Sequence, residues 1–376
     1  MSSKVVHSAV LLVLSLIVAV ISGRFFLSLF EREPVVKGPG VTQVGRLSDY
    51  FTKLKGTVAD TDVYFLEGKE PGGSVVVFGG THPQELSGMM SAVLLVENAV
   101  VKAGRLIVVT HCNQSGFSHN APSEGAWDRY TIQTPGGTRW FRFGFRLTNP
   151  IHQWPDPEVY VHYPSGDLQA DFEVRNLDRA FPGRPDGGFT EKVAYALTEL
   201  VRKEKATMTI DLHEARPMNP IVNCIVAGER AAEIGAMAVM DLAAIGIKIR
   251  LEPSPKKLRG MTHRELPEST QTIAILMETP NPTQDFLHGR MEESLVLDGQ
   301  DDFLKKADAR GLLYAPYGKN GYPLKMRVGR HLTSVSTLVQ IMSELYPEKR
   351  VVLENVPDYQ VLQEKGVGAF LRQVKG

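Results

Sequence analysis

A chain of 376 residues with 43% apolar content is long enough to bury a sizeable core, so one large domain with additions is expected. Lys and Arg number 42 and Asp and Glu 42, a formal net charge of zero, which leaves no overall field to draw in nucleic acid. Two cysteines, Cys112 and Cys224, exclude a disulfide scaffold and a thiolate-rich metal site; one bridge or two buried thiols both fit, and any metal must be held by imidazole and carboxylate.

Residues 5–23 carry no charge and are dominated by Val, Leu and Ile; as a helix rising about 1.5 Å per residue they reach roughly 28 Å, close to one bilayer core. A secretory signal is the rival reading, but its apolar region runs about 7–15 residues, and Phe25, Phe26, Leu27, Leu29 and Phe30 prolong this one past Arg24. Residues 1–30 are therefore expected to form a single-pass transmembrane anchor or a signal segment. Lys4 precedes the span while Arg24, Arg32 and Lys37 follow it, against the simplest positive-inside assignment; an extracytoplasmic body is the expectation all the same. Residues 31–47, with Pro34, Gly38 and Gly40 among charges, read as a tether.

Residues 48–289 then alternate strand and helix patterns. A β-branched run at 74–79 (SVVVFG) predicts a strand, 84–103 has helix-like composition, and 105–110 (RLIVVT) predicts the next strand. From 112 to 176 the periodicity fails over roughly sixty residues, in an excursion that reads equally well as ordered surface or as substrate-facing. Trp127, Arg139, Trp140, Arg142, Arg146 and Trp154 lie in it. Phe189, Val193, Leu197, Leu200 and Val201 recur at helical spacing, and strands at 208–212, 221–227 and 272–277 with a helix around 230–245 continue the pattern. This order predicts an α/β fold with a mixed, largely parallel sheet flanked by helices. Residues 290–376 read as a C-terminal helical extension, with helical stretches at 291–307 and 331–345 around a loop holding Tyr314, Tyr317 and Tyr322, and a final segment from 350.

Three strand ends carry chemistry. His82 and Glu85 stand three apart where a strand gives way to a helix, a spacing that lets an imidazole and a carboxylate meet one ion; a plain helix start with an acidic residue near its positive end has the same pattern. A second strand delivers His213 in Asp211-Leu212-His213-Glu214, and strand alternation points Asp211 the same way, where it can orient a ligand imidazole. A third ends in Glu278, followed at once by Thr279-Pro280; at a cleft mouth, burial and a nearby cation tune such a carboxylate for proton transfer. Each motif has an ordinary structural reading, but all three arrive at the edge of one sheet where α/β proteins bind ligands. His111, His119, His152 and His162 show no paired ligand spacing.

At these residues the chain resembles the aspartoacylase and succinylglutamate desuccinylase family, relatives of the zinc carboxypeptidases. Gly80-Thr81-His82-Pro83-Gln84-Glu85, residues 176–183 (NLDRAFPG), Asp211-Leu212-His213-Glu214 and Met277-Glu278-Thr279 match in the family's order, across roughly residues 74 to 285. The resemblance implies a zinc carboxypeptidase-like fold and one Zn2+ held by His82, Glu85 and His213. It also implies Glu278 as general base and a substrate subsite at Asn176, Asp178 and Arg179, with Arg179 on a substrate carboxylate. Two positions depart from the family pattern. Asp178 stands where an asparagine is usual, bringing a charge that competes with an incoming anion. Asp171 stands where a carbonyl-polarising arginine is usual, leaving Arg175 as the nearest candidate for that role.

The expected function is zinc-dependent amide hydrolysis, most directly deacylation of an N-acyl amino acid or related small molecule. A membrane-tethered carboxypeptidase acting on peptides or cell-wall stem peptides uses the same machinery, and a non-catalytic binding module on the same fold is the reading from another class. The expected partners are a small-molecule or peptide substrate and the membrane, with no nucleic acid.

Overall fold

The computed structural model describes residues 3–120, 128–284 and 287–374; Trp127 lies outside the described residues. Helix α1 (Ser3–Ser28) is followed by β1 (Gln43–Arg46), β2 (Asp62–Glu67), β3 (Glu70–Phe78), α2 (Leu86–Asn98) and β4 (Val100–Val109). Two hairpins come next, β5 (Arg129–Thr134) with β6 (Gly137–Arg142) and β7 (Tyr160–Val161) with β8 (Leu168–Gln169). Then follow α3 (Phe189–Lys203), β9 (Met208–Ala215), β10 (Cys224–Ala227), α4 (Ala232–Ala244), β11 (Arg250–Pro253), α5 (Thr262–Ser269) and β12 (Ile273–Pro280). The chain closes with α6 (Glu293–Asp298), α7 (Asp302–Asp308), α8 (Leu324–Leu345), β13 (Val352–Glu354) and α9 (Tyr359–Lys365).

The main sheet runs β1-β2-β4-β3-β9-β12-β10-β11, with β13 pairing β4. Its centre, β4-β3-β9-β12, is parallel, while β2, β10 and β13 join antiparallel, so the sheet is mixed with a parallel heart as the alternation of elements predicts. Successive side chains take opposite faces. Val75, Val77, Ile210, Leu212, Ile275 and Met277 join α2, α4 and α8 in one core, whereas Val76, Phe78, Ile107 and Val109 join α3 in a second. His213 and Glu278 fall on odd steps of that alternation, opposite Leu212 and Met277.

Several elements differ from the sequence reading. The helix predicted over 84–103 ends at Asn98, and Val100 opens β4, because β-branched Val100 and Val101 suit a ladder shared with β13 and β2. The irregular excursion contains the β5–β6 hairpin, whose strands are too rich in Arg and Thr to show as apolar runs, and the β7–β8 hairpin, whose strands are two residues each. The stretch 291–307 is split by Gly299, whose φ of +62° ends α6, and Asp301 caps α7. The second C-terminal helix starts earlier than expected, after Pro323. Both cysteines are buried free thiols.

Helix α1 is long and apolar enough to cross a membrane, and none of its residues is buried by the rest of the chain. Residues 31–47 do not hang free behind it. Arg142, 1% exposed, donates to the carbonyls of Ser28 and Glu31, Arg139 to that of Pro34, and Arg129 to that of Ser28. Glu33 is buried against His111 Nε2 at 3.0 Å and accepts from the amide of Arg142. Burial alone would raise the Glu33 pKa; the His111 ring and the backbone amides outweigh it and hold the carboxyl below its ordinary value.

A carboxyl whose folded pKa is depressed adds stability above its unfolded value, about 4.5, and loses it as pH falls through the lower folded value. Acid unfolding followed by near-ultraviolet circular dichroism is therefore expected to show wild-type stability falling below about pH 4.5, and Glu33→Gln is expected to be less stable at pH 7 but flatter across that window. Parallel acid profiles for the two proteins would overturn this assignment.

Candidate active site

The site begins where β3 runs out. Gly80, with φ of +67°, turns the chain under Phe117, whose ring would stand 2.9 Å from any Cβ there. The turn carries His82 and Glu85 to the carboxyl edge of the sheet, and α2 starts at Leu86. That helix presses on the neighbouring strand: a Cβ on Gly88 would lie 2.1 Å from the Leu212 carbonyl. Glu85 is thereby brought against His213 at the end of β9.

The Glu85 carboxylate spans both histidines, with Oε1 2.8 Å from His82 Nδ1 and Oε2 3.0 Å from His213 Nδ1. The two rings meet edge-on, 4.9 Å between centroids, and all three side chains are at most 4% exposed. The outer nitrogens also face oxygens: His82 Nε2 lies 2.9 Å from Asn176 Oδ1, and His213 Nε2 lies 3.0 Å from Asp211 Oδ2. The Asn176 amide is fixed in that orientation, since its Oδ1 accepts from the Asp178 amide and its Nδ2 donates to Glu173. The contact of His213 Nε2 lacks hydrogen-bond geometry, which leaves that atom without a hydrogen-bond partner among the described residues. The two Nδ1 atoms and the Glu85 carboxylate converge on one point, a set that can hold a cation.

The donor set fits zinc. Ligand atoms of a tetrahedral site with bonds of about 2.05 Å stand about 3.3 Å apart; here the donor atoms of His82, Glu85 and His213 all lie within 4.8 Å of one another, with two contacts of 2.8 and 3.0 Å. Asp211 stands behind the His213 ring, its oxygens held by the hydroxyls of Thr81 (2.9 Å) and Thr262 (2.8 Å), where an outer carboxylate could orient that imidazole. Asp178, Asp211 and His213 form a second tight group, but Asp211 is already occupied by those hydroxyls and the His213 ring. Burial opposes ionisation of Glu85 and Asp211, and the facing histidines reverse the balance and lower both pKa values.

Glu278 pairs in register with His213 on the adjacent parallel strand. Its Oε2 has no hydrogen-bond partner among the described residues, and burial followed by the charge of Glu85 pushes its pKa well up. It lines a cavity of about 510 Å³ together with His82, Glu85, Arg146, Asp178 and Arg179. Asp178 is 2% exposed with Oδ1 unpartnered, its pKa raised by burial, and its Oδ2 lies 3.2 Å from Arg179 Nη1.

Arg175, expected to polarise the scissile carbonyl, and Asn176, expected in the substrate subsite, are placed elsewhere. Arg175 is clamped bidentately by Asp156 at 2.7 and 2.8 Å, donates to the Thr148 carbonyl and lines no part of this cavity. Asn176 is fully buried behind His82, where it orients that ring. The arginines that do line the cavity are Arg146, Arg179 and Arg216; the backbone of Arg146 is held by Gln84 and Asn113, and its Nε makes no hydrogen bond among the described residues. His111, His119, His152 and His162 bond to Glu33, the Leu147 carbonyl, Ser115 and the Phe181 carbonyl, away from the cluster.

Beneath the site lies a network that sequence reasoning did not find. Glu214 takes the sheet face opposite His213, its amide donates to Glu85 Oε2 at 2.9 Å, and its carboxylate accepts from Ser87 and from Arg327 of α8, both at 2.7 Å. Arg327 is 1% exposed and also holds the carbonyls of Tyr322 and Val296. One signal was legible: Arg327 and His331 fall four apart on the apolar stripe of α8 that includes Leu324, Val328 and Val335.

No family model matches the chain, and no curated protein matches it. Among solved structures, it is similar to a succinylglutamate desuccinylase from Silicibacter sp. (17% identity, 58% of this chain and 53% of that one, TM-score 0.36). It is also similar to an aspartoacylase family protein from Mesorhizobium loti (19%, 66% and 65%, TM-score 0.38) and to the product-bound cell shape determinant protein Csd4 of Helicobacter pylori (10%, 81% and 60%, TM-score 0.46). The chain spans between 53% and 65% of the length of these three structures, and the likeness is one of fold.

Removing one partner of a buried ion pair leaves the other charge uncompensated, and outer-sphere changes typically cost about 10–100-fold in metal affinity. Arg327→Met is expected to weaken zinc binding by about that factor in chelator competition, with the double variant Arg327→Met/Glu214→Leu recovering thermal stability. Unchanged affinity in a folded Arg327→Met protein would show that α8 does not support the ligand set.

Proposed function

We propose that this chain is a zinc-dependent amidohydrolase, anchored by α1 with its body extracytoplasmic. The observation that carries the reading is the convergence of His82 Nδ1 and His213 Nδ1 on the buried Glu85 carboxylate, with Glu278, whose Oε2 is unpartnered among the described residues, on the adjoining strand. A zinc ion held by His82, Glu85 and His213 would supply Lewis acidity and lower the pKa of water toward about 7.

Glu278 takes the proton of the attacking water and returns it to the departing nitrogen. A carboxylate with raised proton affinity suits both halves of that exchange, because it accepts at the first step and donates at the second. Arg146, which lines the same cavity, stabilises the carbonyl oxygen as negative charge builds there. Arg179 binds the substrate's carboxylate beside Asp178. Arg175, with its fork engaged by Asp156, is left out of the chemistry.

The substrate favoured first is an N-acyl amino acid or related small molecule. A peptide is the second reading, favoured by one feature: past Arg179 and Leu258 the cavity adjoins a further trough lined by Gln169, Glu173 and Lys257, which gives an extended substrate somewhere to lie. Product masses from the two substrate classes separate these readings.

Replacing Glu278 by Gln is expected to lower kcat by about 10²–10⁴-fold while zinc content stays at the wild-type level. Arg146→Ala is expected to lower kcat/KM by about 10²-fold, with Arg175→Lys much nearer wild type. Full turnover by zinc-loaded Glu278→Gln on every substrate cleaved by the parent would remove the base from this scheme.

A further inference from the structure

The junction between α1 and the body leaves little slack. Residues 5–23 take up about 28 Å of helix, and Ser28 follows about 7.5 Å further on, whereas the headgroup layer outside the hydrocarbon core is about 5–8 Å deep. The Ser28 carbonyl is already held by Arg129 and Arg142, so the body starts within that layer. What flanks the junction is apolar. Phe30 packs edge-on against His152, 6.0 Å between centroids, and His152 stands between Ile151 and Trp154, which are 70% and 71% exposed.

The exposed surface continues from there. Asp156, two residues past Trp154, is locked to Arg175, which brings the 154–156 segment beside Phe172, 45% exposed. The β7–β8 hairpin pairs Val161 directly with Leu168, 53% and 74% exposed, so both apolar side chains share one outward face. Leu168 also lines the trough that adjoins the catalytic cavity at Arg179. Isolated exposed apolar residues are ordinary, but a run of them beginning at a membrane helix is a surface with a purpose.

We infer that the excursion around Trp154 and the β7–β8 hairpin is a second membrane contact, seated in the lipid headgroup layer beside α1 and bringing the mouth of the catalytic trough to the bilayer surface. Its occupant is lipid. Tryptophan and other amphipathic aromatics settle at that depth, and the clamp at Ser28 fixes the distance. The acidic residues Asp156, Glu158, Asp167 and Asp171 interleave with the apolar ones, so the contact works by apolar insertion and not by attraction to anionic lipid. The contact itself rests on α1 being a retained membrane span, and only the role of the trough beside it rests on the proposed catalytic function.

The test uses the full chain in phosphatidylcholine nanodiscs whose lipids are brominated on the upper acyl chain, with mass spectrometry confirming that residues 1–30 are present. Tryptophans are three, Trp127, Trp140 and Trp154, and Trp140 lies under the Arg129 guanidinium. Brominated lipid is expected to quench a fraction of the emission that disappears in Trp154→Phe, that persists when salt is raised tenfold, and that shrinks in Leu168→Glu/Phe172→Glu. Equal quenching in Trp154→Phe and wild type, or none in either, overturns the contact; a protein partner on this face would give the latter. If α1 proves to be removed, the contact falls with the anchor, whereas an intact α1 with unquenched Trp154 removes the contact alone. Hydrolysis lost in Glu278→Gln remains a separate result in either case.

Discussion

One carboxylate holds the centre of this molecule together. Glu85 reaches imidazoles from two different strands, and it does so because α2 lies hard against β9, with Gly88 under the Leu212 carbonyl. A side chain at position 88 would lift the helix start and separate Glu85 from His213. The outer contacts then multiply the effect: Asn176 and Asp211 fix the far edges of the two rings, and Thr81 and Thr262 fix Asp211. Such a shell sets ring orientation before any ligand arrives, which reduces the reorganisation that binding requires.

The two faces of the sheet divide the work. Glu278 lines the cavity and His213 sits beside it on the same sheet face, while the side chains one step along, Glu214 and Thr279, bond to Ser87 of α2, and Glu214 also to Arg327 of α8. Thr279 meets Ser87 and lies 3.3 Å from His331, whose pKa burial drives down to about 3, keeping that ring neutral against a buried guanidinium. The C-terminal helices are thus the floor of the site. Their buried charges stay there because Arg327 and Glu214 satisfy each other, an arrangement whose stability contribution is small but whose loss by halves is expensive.

The residues that share the site were largely legible because they end apolar strands, and apolar strands announce themselves. His82, Glu85, His213 and Glu278 each follow a run of β-branched or aliphatic residues, and alternation from Leu212 correctly turns Asp211 toward the ring of His213. What stayed hidden was held by contacts across long sequence separations. Nothing local to Arg327 names Glu214, 113 residues away, as its partner, and nothing local to Arg175 shows that Asp156 will occupy its fork. Arg146 sat in an excursion without periodicity, so its place in the cavity is a product of the Gln84 and Asn113 contacts that pin its backbone. The β5–β6 ribbon escaped for a related reason: its core side chains, Tyr130, Ile132 and Phe141, are diluted by Arg129, Arg139 and Arg142, whose charges are met by Glu31, Glu97 and Asp128.

Asp178 is where the sequence and the structure pull in different directions. Read as a charge, it cancels the neighbouring Arg179 and turns the cavity away from anions. In place, it is almost completely buried, one oxygen has no partner, and desolvation raises its pKa against the pull of His213 and Arg179. Its other oxygen keeps an ion contact of 3.2 Å with Arg179 Nη1, so part of that guanidinium's charge is already answered within the cavity. Arg146, Arg179 and Arg216 line the cavity together with Glu85, Asp178, Glu214 and Glu278, so neither sign of charge prevails there by count. In the proposed scheme a substrate carboxylate has to compete with Asp178 for Arg179, whose Nη1 already donates to the Asp178 carbonyl and carboxylate, and the charge at position 178 therefore bears directly on which substrates the cavity accepts.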